Sequence, residues 1–189
     1  RHVSLPWAVV GPAIAAGFVG SLLGANAVSN FPAEPLRKAL PFVLLFLLIY
    51  TWFQPSLGEA HAPKATSRHQ QAKGVLLGLT IGFYDGFFGP GTGSFLLFGF
   101  VRFFGFDFLH ASANAKMVNL ATNFGSICLF FIKGKIIWAI AIPMAFSNAL
   151  GGFLGAKLAI SKGNNFIRIF FLVVVIGTLI RFGYDVFCK

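Results

Sequence analysis

Apolar residues in this chain fall in runs about as long as a helix needs to cross a bilayer, roughly 20 residues, and polar residues gather between them. Pro6 to Val28 holds no charge, and Leu36 to Phe53 carries Arg37 and Lys38 only at its start. Gly74 to Val101 holds one charge, Asp85, and Ala111 to Ile132 holds one, Lys116. Ile136 to Ala156 holds none, while Phe166 to Phe187 keeps its charges near its ends. The pattern predicts an all-α integral membrane protein: a polytopic helix bundle with five ordinary spans and one unusual segment, the third. Gln54 to Lys73 is the only polar stretch long enough to act as a linker. It divides the chain into 1–53, the linker 54–73, and 74–189.

The two flanking parts carry a short internal repeat. Gly17-Phe18-Val19-Gly20 in the first run matches Gly152-Phe153-Leu154-Gly155 in the fifth. Each is followed by an apolar run led by a basic residue, after Leu36-Arg37 in one case and Ile167-Arg168 in the other. On this pattern, 74–189 is a four-segment repeat and 1–53 is the last two helices of another. About two further helices, each a bilayer-length run, are then expected upstream.

Composition agrees with a lipid environment. Of 189 residues 57% are hydrophobic, 11% are charged and 25 are Phe, whereas soluble domains average about 25% charged residues. Lys and Arg number 15 against 5 Asp and Glu. In a soluble protein that excess would suggest nucleic acid. Here the basic residues mostly flank apolar runs, as membrane anchors do, so no nucleic-acid partner is expected. The two cysteines, Cys128 and Cys188, make no disulfide framework. His2, His61, His69 and His110 lack ligand spacing, so neither a metal nor another cofactor is expected.

Chemistry concentrates in the third segment. Gly82 to Ser94 holds five glycines and Pro90 in thirteen residues. Pro90 lacks an N–H, and each interior Gly costs about 1 kcal/mol relative to Ala. Non-helical backbone at membrane depth survives only inside protein or beside a wet cavity. Two half-helices are expected, near Gly74–Phe87 and Ser94–Phe104, with a break between Phe87 and Gly93. Thr92 or Ser94 would cap the second, turning its N–H groups toward an anion; a tight packing kink is the alternative. The segment lacks the Gly-Lys-Ser/Thr of a P-loop and the third Gly of a dinucleotide fingerprint. Asp85, an acid that costs roughly 2.5–3.5 kcal/mol to insert, reads as a proton carrier or as a brace for the broken helix. As a carrier it is expected to approach the cavity from the side opposite Thr92.

The fourth segment carries a polar stripe. Ser112, Lys116, Asn119, Asn123 and Ser126 fall within about 80° of one helix face at 100° per residue. Lys116 supplies positive charge and three donors, and the Asn amides add donors and acceptors. That set suits an oxyanion; the alternative is interhelical hydrogen bonding, which averages only about 0.6 kcal/mol per bond. The remaining features read as scaffold. Ala16, Gly20 and Gly24, like Ser147, Gly151 and Gly155, recur at packing intervals. Arg181 and Asp185 are expected to pair, and Trp7, Trp52 and Trp138 to sit at the interface.

Gly82-Phe83-Tyr84-Asp85-Gly86-Phe87-Phe88-Gly89-Pro90-Gly91-Thr92-Gly93-Ser94-Phe95, followed by Ala113-Asn114-Ala115-Lys116 and by Asn119 and Asn123, resembles the TauE/SafE sulfite exporter family. The resemblance covers nearly the whole chain. It implies a multi-pass carrier of the bacterial inner membrane, with about eight segments in two repeats, each with a Gly-rich loop. It also implies transport of small sulfur-containing anions such as sulfite or sulfonates, in a direction the sequence leaves open. The family's first Gly-rich segment is absent from this sequence, as the upstream expectation requires.

Together these observations point to a secondary carrier for a small anion, with an anion channel or a structural membrane protein without transport activity as the alternatives. An enzyme is not expected, since no nucleophile, base and orienting group fall together. The candidate substrate contacts are Tyr84, Asp85, Gly89, Gly91 and Thr92, then Gly93 and Ser94 on the same segment. Lys116, Asn119 and Asn123 complete them from the polar stripe. The expected partners are the anion, the lipid bilayer and a coupling proton at Asp85; the oligomeric state is unspecified.

Overall fold

The computed structural model describes residues 7–52 and 67–187. They form six helices: α1 (Trp7–Ser29), α2 (Ala33–Trp52), α3 (Arg68–Phe87), α4 (Thr92–Phe104), α5 (Phe108–Ile132) and α6 (Trp138–Phe187). The architecture is the expected all-α one. Trp7–Ser29, His110–Ile132 and Trp138–Gly155 are each long and apolar enough to cross a membrane, and α4 is a shorter apolar helix. Packing groups the helices into two units, one of α1, α3, α4 and α5, the other of α2 and α6.

In the first unit α1 and α3 touch backbone to backbone. Gly74, Gly78, Gly82 and Gly86 repeat every fourth position and so form one ridge along α3. A methyl on Gly74 would lie 2.9 Å from the Val9 carbonyl oxygen; on Gly78, Gly82 and Gly86 it would collide with those of Ala13, Gly17 and Ser21. Each pair is 65 positions apart (74 − 9, 78 − 13, 82 − 17, 86 − 21), so the helices run parallel in constant register. From the other side, Gly20 and Gly24 of α1 leave no room for a methyl against Leu79 and Phe83. Small residues let membrane helices approach in this way, where dispersion and Cα–H···O contacts replace the hydrophobic drive.

Helix α5 lies on α1 in the same direction. A methyl on Gly17 would meet Val118 Cγ1 at 3.0 Å and Thr122 Cγ2 at 3.1 Å, and one on Gly125 would meet the Phe18 carbonyl oxygen at 2.8 Å. At the far end Lys133 Nζ donates to Asn26 Oδ1 (2.6 Å) and Ser29 Oγ (2.5 Å). Lys133 is therefore a clasp between two helix ends as well as a flanking charge. Asp107 caps the N-terminus of α5 by accepting from the His110 N–H at 2.8 Å.

Helix α4 runs the opposite way. Its Gly99 faces Leu77 of α3, with a methyl there 2.6 Å from Leu77 Cδ1, and the Phe95 and Tyr84 rings meet edge to face at 5.3 Å. The third segment is thus the expected pair of half-helices, and the chain turns back on itself at the break between them. Thirteen residues at 1.5 Å each bring α4 back about 20 Å, to the side where α3 began. Leu77, Leu96, Phe100, Phe104, Ala111, Ala115 and Val118 then close a common core with Val9, Val10 and Ala13 of α1.

Two further boundaries differ from the sequence expectation. The linker's last residues, from Arg68, are already helical, and Ser67 caps them by accepting from the Gln70 N–H at 3.3 Å. The fifth and sixth segments are one helix, α6, of 50 residues. Ser161-Lys162-Gly163-Asn164-Asn165 contains no proline, and a single helical Gly costs only about 1 kcal/mol, too little to break the ladder. At about 75 Å, α6 is longer than any one hydrocarbon core of about 30 Å. In the second unit, Lys38 and Glu34 pair at 2.8 Å on the exposed start of α2, which holds the Glu34 carboxyl below its usual range. Ser147, Gly151 and Gly155 sit on an exposed face of α6, with nothing within 4 Å of a methyl on either glycine. The linker from Gln54 to Thr66, His2, His61 and Cys188 lie outside the described residues, as do the side chains of Trp52, Arg181 and Asp185.

These contacts set a stability prediction. Gly78→Ala drives a methyl into the Ala13 main chain and should lower stability by about 1–3 kcal/mol. Gly151→Ala, with open space around it, should be neutral or gain up to about 1 kcal/mol. Detergent unfolding of both variants checks this; equal stabilities would refute the backbone contact.

Candidate functional site

The hairpin turn is built by the residues that end α3. Gly89 and Gly91 adopt φ of 85° and 82°, a region closed to most side chains. Pro90 between them cannot extend the α3 ladder. Tyr84 braces the turn by donating its hydroxyl to the Pro90 carbonyl at 2.6 Å, and Phe88 N–H closes α3 onto the Tyr84 carbonyl. The break occupies residues 88–91, inside the expected interval.

The start of α4 departs from expectation. Its N-cap is Gly91, with no side-chain cap bond, and Thr92 is the first helical residue. Thr92 is buried and reaches back to Asp85 Oδ1 at 2.7 Å. Of the first four N–H donors, those of Ser94 and Phe95 bond the Gly91 carbonyl at 2.9 and 3.1 Å, and that of Thr92 makes only a long contact of 3.4 Å to the Gly89 carbonyl. The remaining donor is that of Gly93.

Asp85 therefore lies on the same side as Thr92, not opposite it. Turning the chain back on itself brings the end of α3 and the start of α4 together, which an end-to-end arrangement would have kept apart. Its second oxygen accepts from Thr122 Oγ1 of α5 at 2.5 Å, one turn beyond Asn119. The carboxyl thus joins α3, α4 and α5.

A cavity of about 280 Å³ opens between α4 and α5, lined by Gly93, Ser94, Leu97, Ser112, Ala115, Lys116 and Asn119. Of the predicted contacts, the structure gathers Gly93, Ser94, Lys116 and Asn119 on this wall. Tyr84, Gly89 and Gly91 shape the turn, and half-buried Asp85 bonds buried Thr92 beside it. Asn123 stands apart: its amide donates to the Asn119 carbonyl of its own helix at 2.8 Å and faces outward. Lys116 has no ion-pair partner among the described residues, so its ammonium is available to an anion. Among the described residues no group of three His, Cys, Asp or Glu could hold a metal.

Thr122 is the residue that sequence reasoning missed. At 100° per residue it lies about 40° outside the edge of the polar stripe. Its small side chain, fully buried, reads as part of the apolar face. The available signal was its position one turn after Asn119 on the flank that turns toward Asp85.

An all-helical chain with membrane-length apolar helices and a helical hairpin beside a cationic cavity has the architecture of a polytopic membrane protein. Its sequence relatives place it more narrowly. A family model described as sulfite exporter TauE/SafE matches residues 1–182, and the chain belongs to that family. It is 37% identical over 176 residues to the probable membrane transporter protein YfcA of Escherichia coli, covering 91% of this chain and 63% of the relative. A probable membrane transporter protein of Haemophilus influenzae is 36% identical over 172 residues, covering 89% and 65%. Another from a Sinorhizobium species is 34% identical over 170 residues, covering 88% and 63%. The chain thus spans somewhat less than two thirds of the length of these relatives. No solved structure matches it.

Neighbouring glycines make the turn testable. Gly91→Ala forces a side chain into left-handed backbone and should cost about 1–2 kcal/mol. Gly93 has ordinary φ and nothing within 4 Å of a methyl, so Gly93→Ala should fold normally while narrowing the cavity. Thermal unfolding in detergent separates them; comparable losses would mean that the turn is not held as described.

Proposed function

We propose that this chain is the greater part of a secondary carrier for a small anion, of the sulfur-containing oxyanion or sulfonate class that the family's name suggests. The observation that carries the proposal is the cavity between α4 and α5, where the Lys116 ammonium stands unpaired beside Ser94, Asn119 and Ser112. An anion entering it would meet one full positive charge, hydroxyl and amide donors, and the first turn of α4 with its partial positive charge. Leu97 and Ala115 complete the wall and exclude water from part of the bound species, which strengthens the polar contacts that remain. The carrier works as a multi-pass protein of the bacterial inner membrane. It is not an enzyme and needs no cofactor.

A coupled proton belongs to the same proposal. An ionised Asp85 beside the cavity would repel an anion, whereas a protonated one would not. Asn119 lines the cavity one turn before Thr122, which bonds the carboxyl, so this stretch of α5 links the two sites. Anion and proton then load together, with charge as the switch.

The charge prediction compares two lysines. Lys116→Ala should weaken anion binding about tenfold or more, equivalent to about 1.4 kcal/mol. Lys133→Ala, which removes only the clasp onto α1, should leave affinity near wild type. Binding of sulfite and sulfonates to the full-length protein in vesicles measures both, and equal effects would make Lys116 structural. Coupling is tested by Asp85→Asn. The variant should bind anion, lose the pH dependence of flux and fail to concentrate anion against a gradient. Normal uphill transport would remove Asp85 from the mechanism, and flux that never saturates would favour a channel.

A further inference from the structure

Four oxygen–oxygen contacts around Asp85 count protons. Thr92 Oγ1 lies 2.7 Å from Asp85 Oδ1 and 2.7 Å from the Gly89 carbonyl oxygen. Thr122 Oγ1 lies 2.5 Å from Asp85 Oδ2 and 2.9 Å from the Asn119 carbonyl oxygen. A hydroxyl carries one proton, while a carbonyl and an ionised carboxylate carry none. With Asp85 ionised, two hydroxyl protons must serve all four contacts. A carboxyl proton adds a third.

The two carbonyls differ in need. That of Asn119 also accepts from Asn123 Nδ2 at 2.8 Å. That of Gly89 has, besides the Thr92 hydroxyl, only the Thr92 N–H at 3.4 Å, beyond normal hydrogen-bond length. The extra proton is worth most where it frees the Thr92 hydroxyl for Gly89.

We infer that Asp85 binds its proton on Oδ1, completing a one-way chain from Thr122 through Asp85 and Thr92 to the Gly89 carbonyl, with Thr122 as the positioning residue. The chain runs Thr122 O–H to Oδ2, Oδ1–H to Thr92 Oγ1, and Thr92 O–H to Gly89. When the proton leaves, Thr92 turns its hydrogen to the carboxylate and the Gly89 carbonyl keeps only the long Thr92 N–H contact. Gly89 and Gly91 form the turn that holds Gly93 and Ser94 at the cavity, so the proton sets how firmly that wall is held. This deepens the carrier proposal, on which it rests only for what the proton is used for.

No competing acid or base faces the carboxyl among the described residues. The α1 positions opposite the end of α3 are Gly17, Ser21 and Gly24. From α4 comes Thr92, and from α5 comes Thr122. Lys116 stands in the cavity wall one turn before Asn119, and the adjacent Tyr84 hydroxyl is committed to Pro90.

Infrared difference spectroscopy of the full-length protein in vesicles, titrated from acid to alkaline pH without any anion, tests the inference. A carboxylic-acid C=O stretch should be present at low pH, vanish as the proton leaves and be missing in Asp85→Asn. Thr122→Val, which takes the donor off Oδ2, should move the band to higher frequency, and Thr122→Ser should restore it. Thr92→Val gives a second reading, since it removes the acceptor of the carboxyl proton and should also shift the band. No Asp85 band at any pH where the protein stays folded would overturn the inference, as would a band indifferent to both valine variants. Since no anion is present, these outcomes bear on the proton site alone. Loss of anion binding in Lys116→Ala bears on the carrier proposal alone.

Discussion

In a bilayer two helices gain little by burying apolar side chains against each other, because lipid is as apolar as leucine. What holds α1 to α3 is instead the removal of side chains. Gly74, Gly78, Gly82 and Gly86 present bare backbone to Val9, Ala13, Gly17 and Ser21, and the register that results is fixed at every turn. Because α5 also rests on α1, at Phe18 and at the shared positions Gly17 and Ser21, one helix sets the depth of both its neighbours. That depth decides which residue of α5 meets Asp85. Sliding α3 by one residue along α1 would move the carboxyl about 1.5 Å and turn it about 100° around the helix, away from Thr122.

The hairpin follows from the same fixed frame. A break in a membrane helix exposes donors and acceptors that lipid cannot satisfy. Here the phenol of Tyr84 takes the Pro90 carbonyl and the Thr92 hydroxyl lies on that of Gly89, while α4 folds back so that Leu96 and Phe100 are fully buried. Thirteen residues are too few to cross the hydrocarbon core but enough to return to the starting side. The return leaves a space between the first turn of α4 and the middle of α5, and that space is the cavity. Ser112, Lys116 and Asn119 of the stripe line it; Asn123, farther along, folds onto its own helix.

Much of this was legible in the chain. Apolar runs gave the helices to within a few residues, and the density of Gly and Pro placed the break. Yet that density conflated two jobs. Gly82 and Gly86 belong to the ridge on α1, and only Gly89, Pro90 and Gly91 make the turn; four-residue spacing beginning at Gly74 distinguishes the first set. Whether two half-helices continue or reverse depends on what lies beside them, here Leu77 against Gly99 and Tyr84 against Phe95. Such contacts between distant positions leave no local periodicity. The continuity of α6 was hidden for the opposite reason, since a polar, glycine-containing stretch reads as a boundary even where nothing compels the helix to end. Thr122 escaped because a threonine can present its hydroxyl or its methyl, and only the position of Asp85 shows which matters.

One consequence of this geometry is the separation of opposite charges. Asp85 of α3 and Lys116 of α5 carry opposite formal charges, and in a direct pair each would cancel the other. They are not paired. Asp85 is bonded by two threonine hydroxyls, while Lys116 stands in the cavity wall with Asn119. Neutral donors around the carboxyl give it hydrogen bonds without neutralising the ammonium. The ammonium therefore has no ion-pair partner among the described residues, and the carboxyl is held by neutral groups alone. A salt bridge between them would have tied up both groups at once.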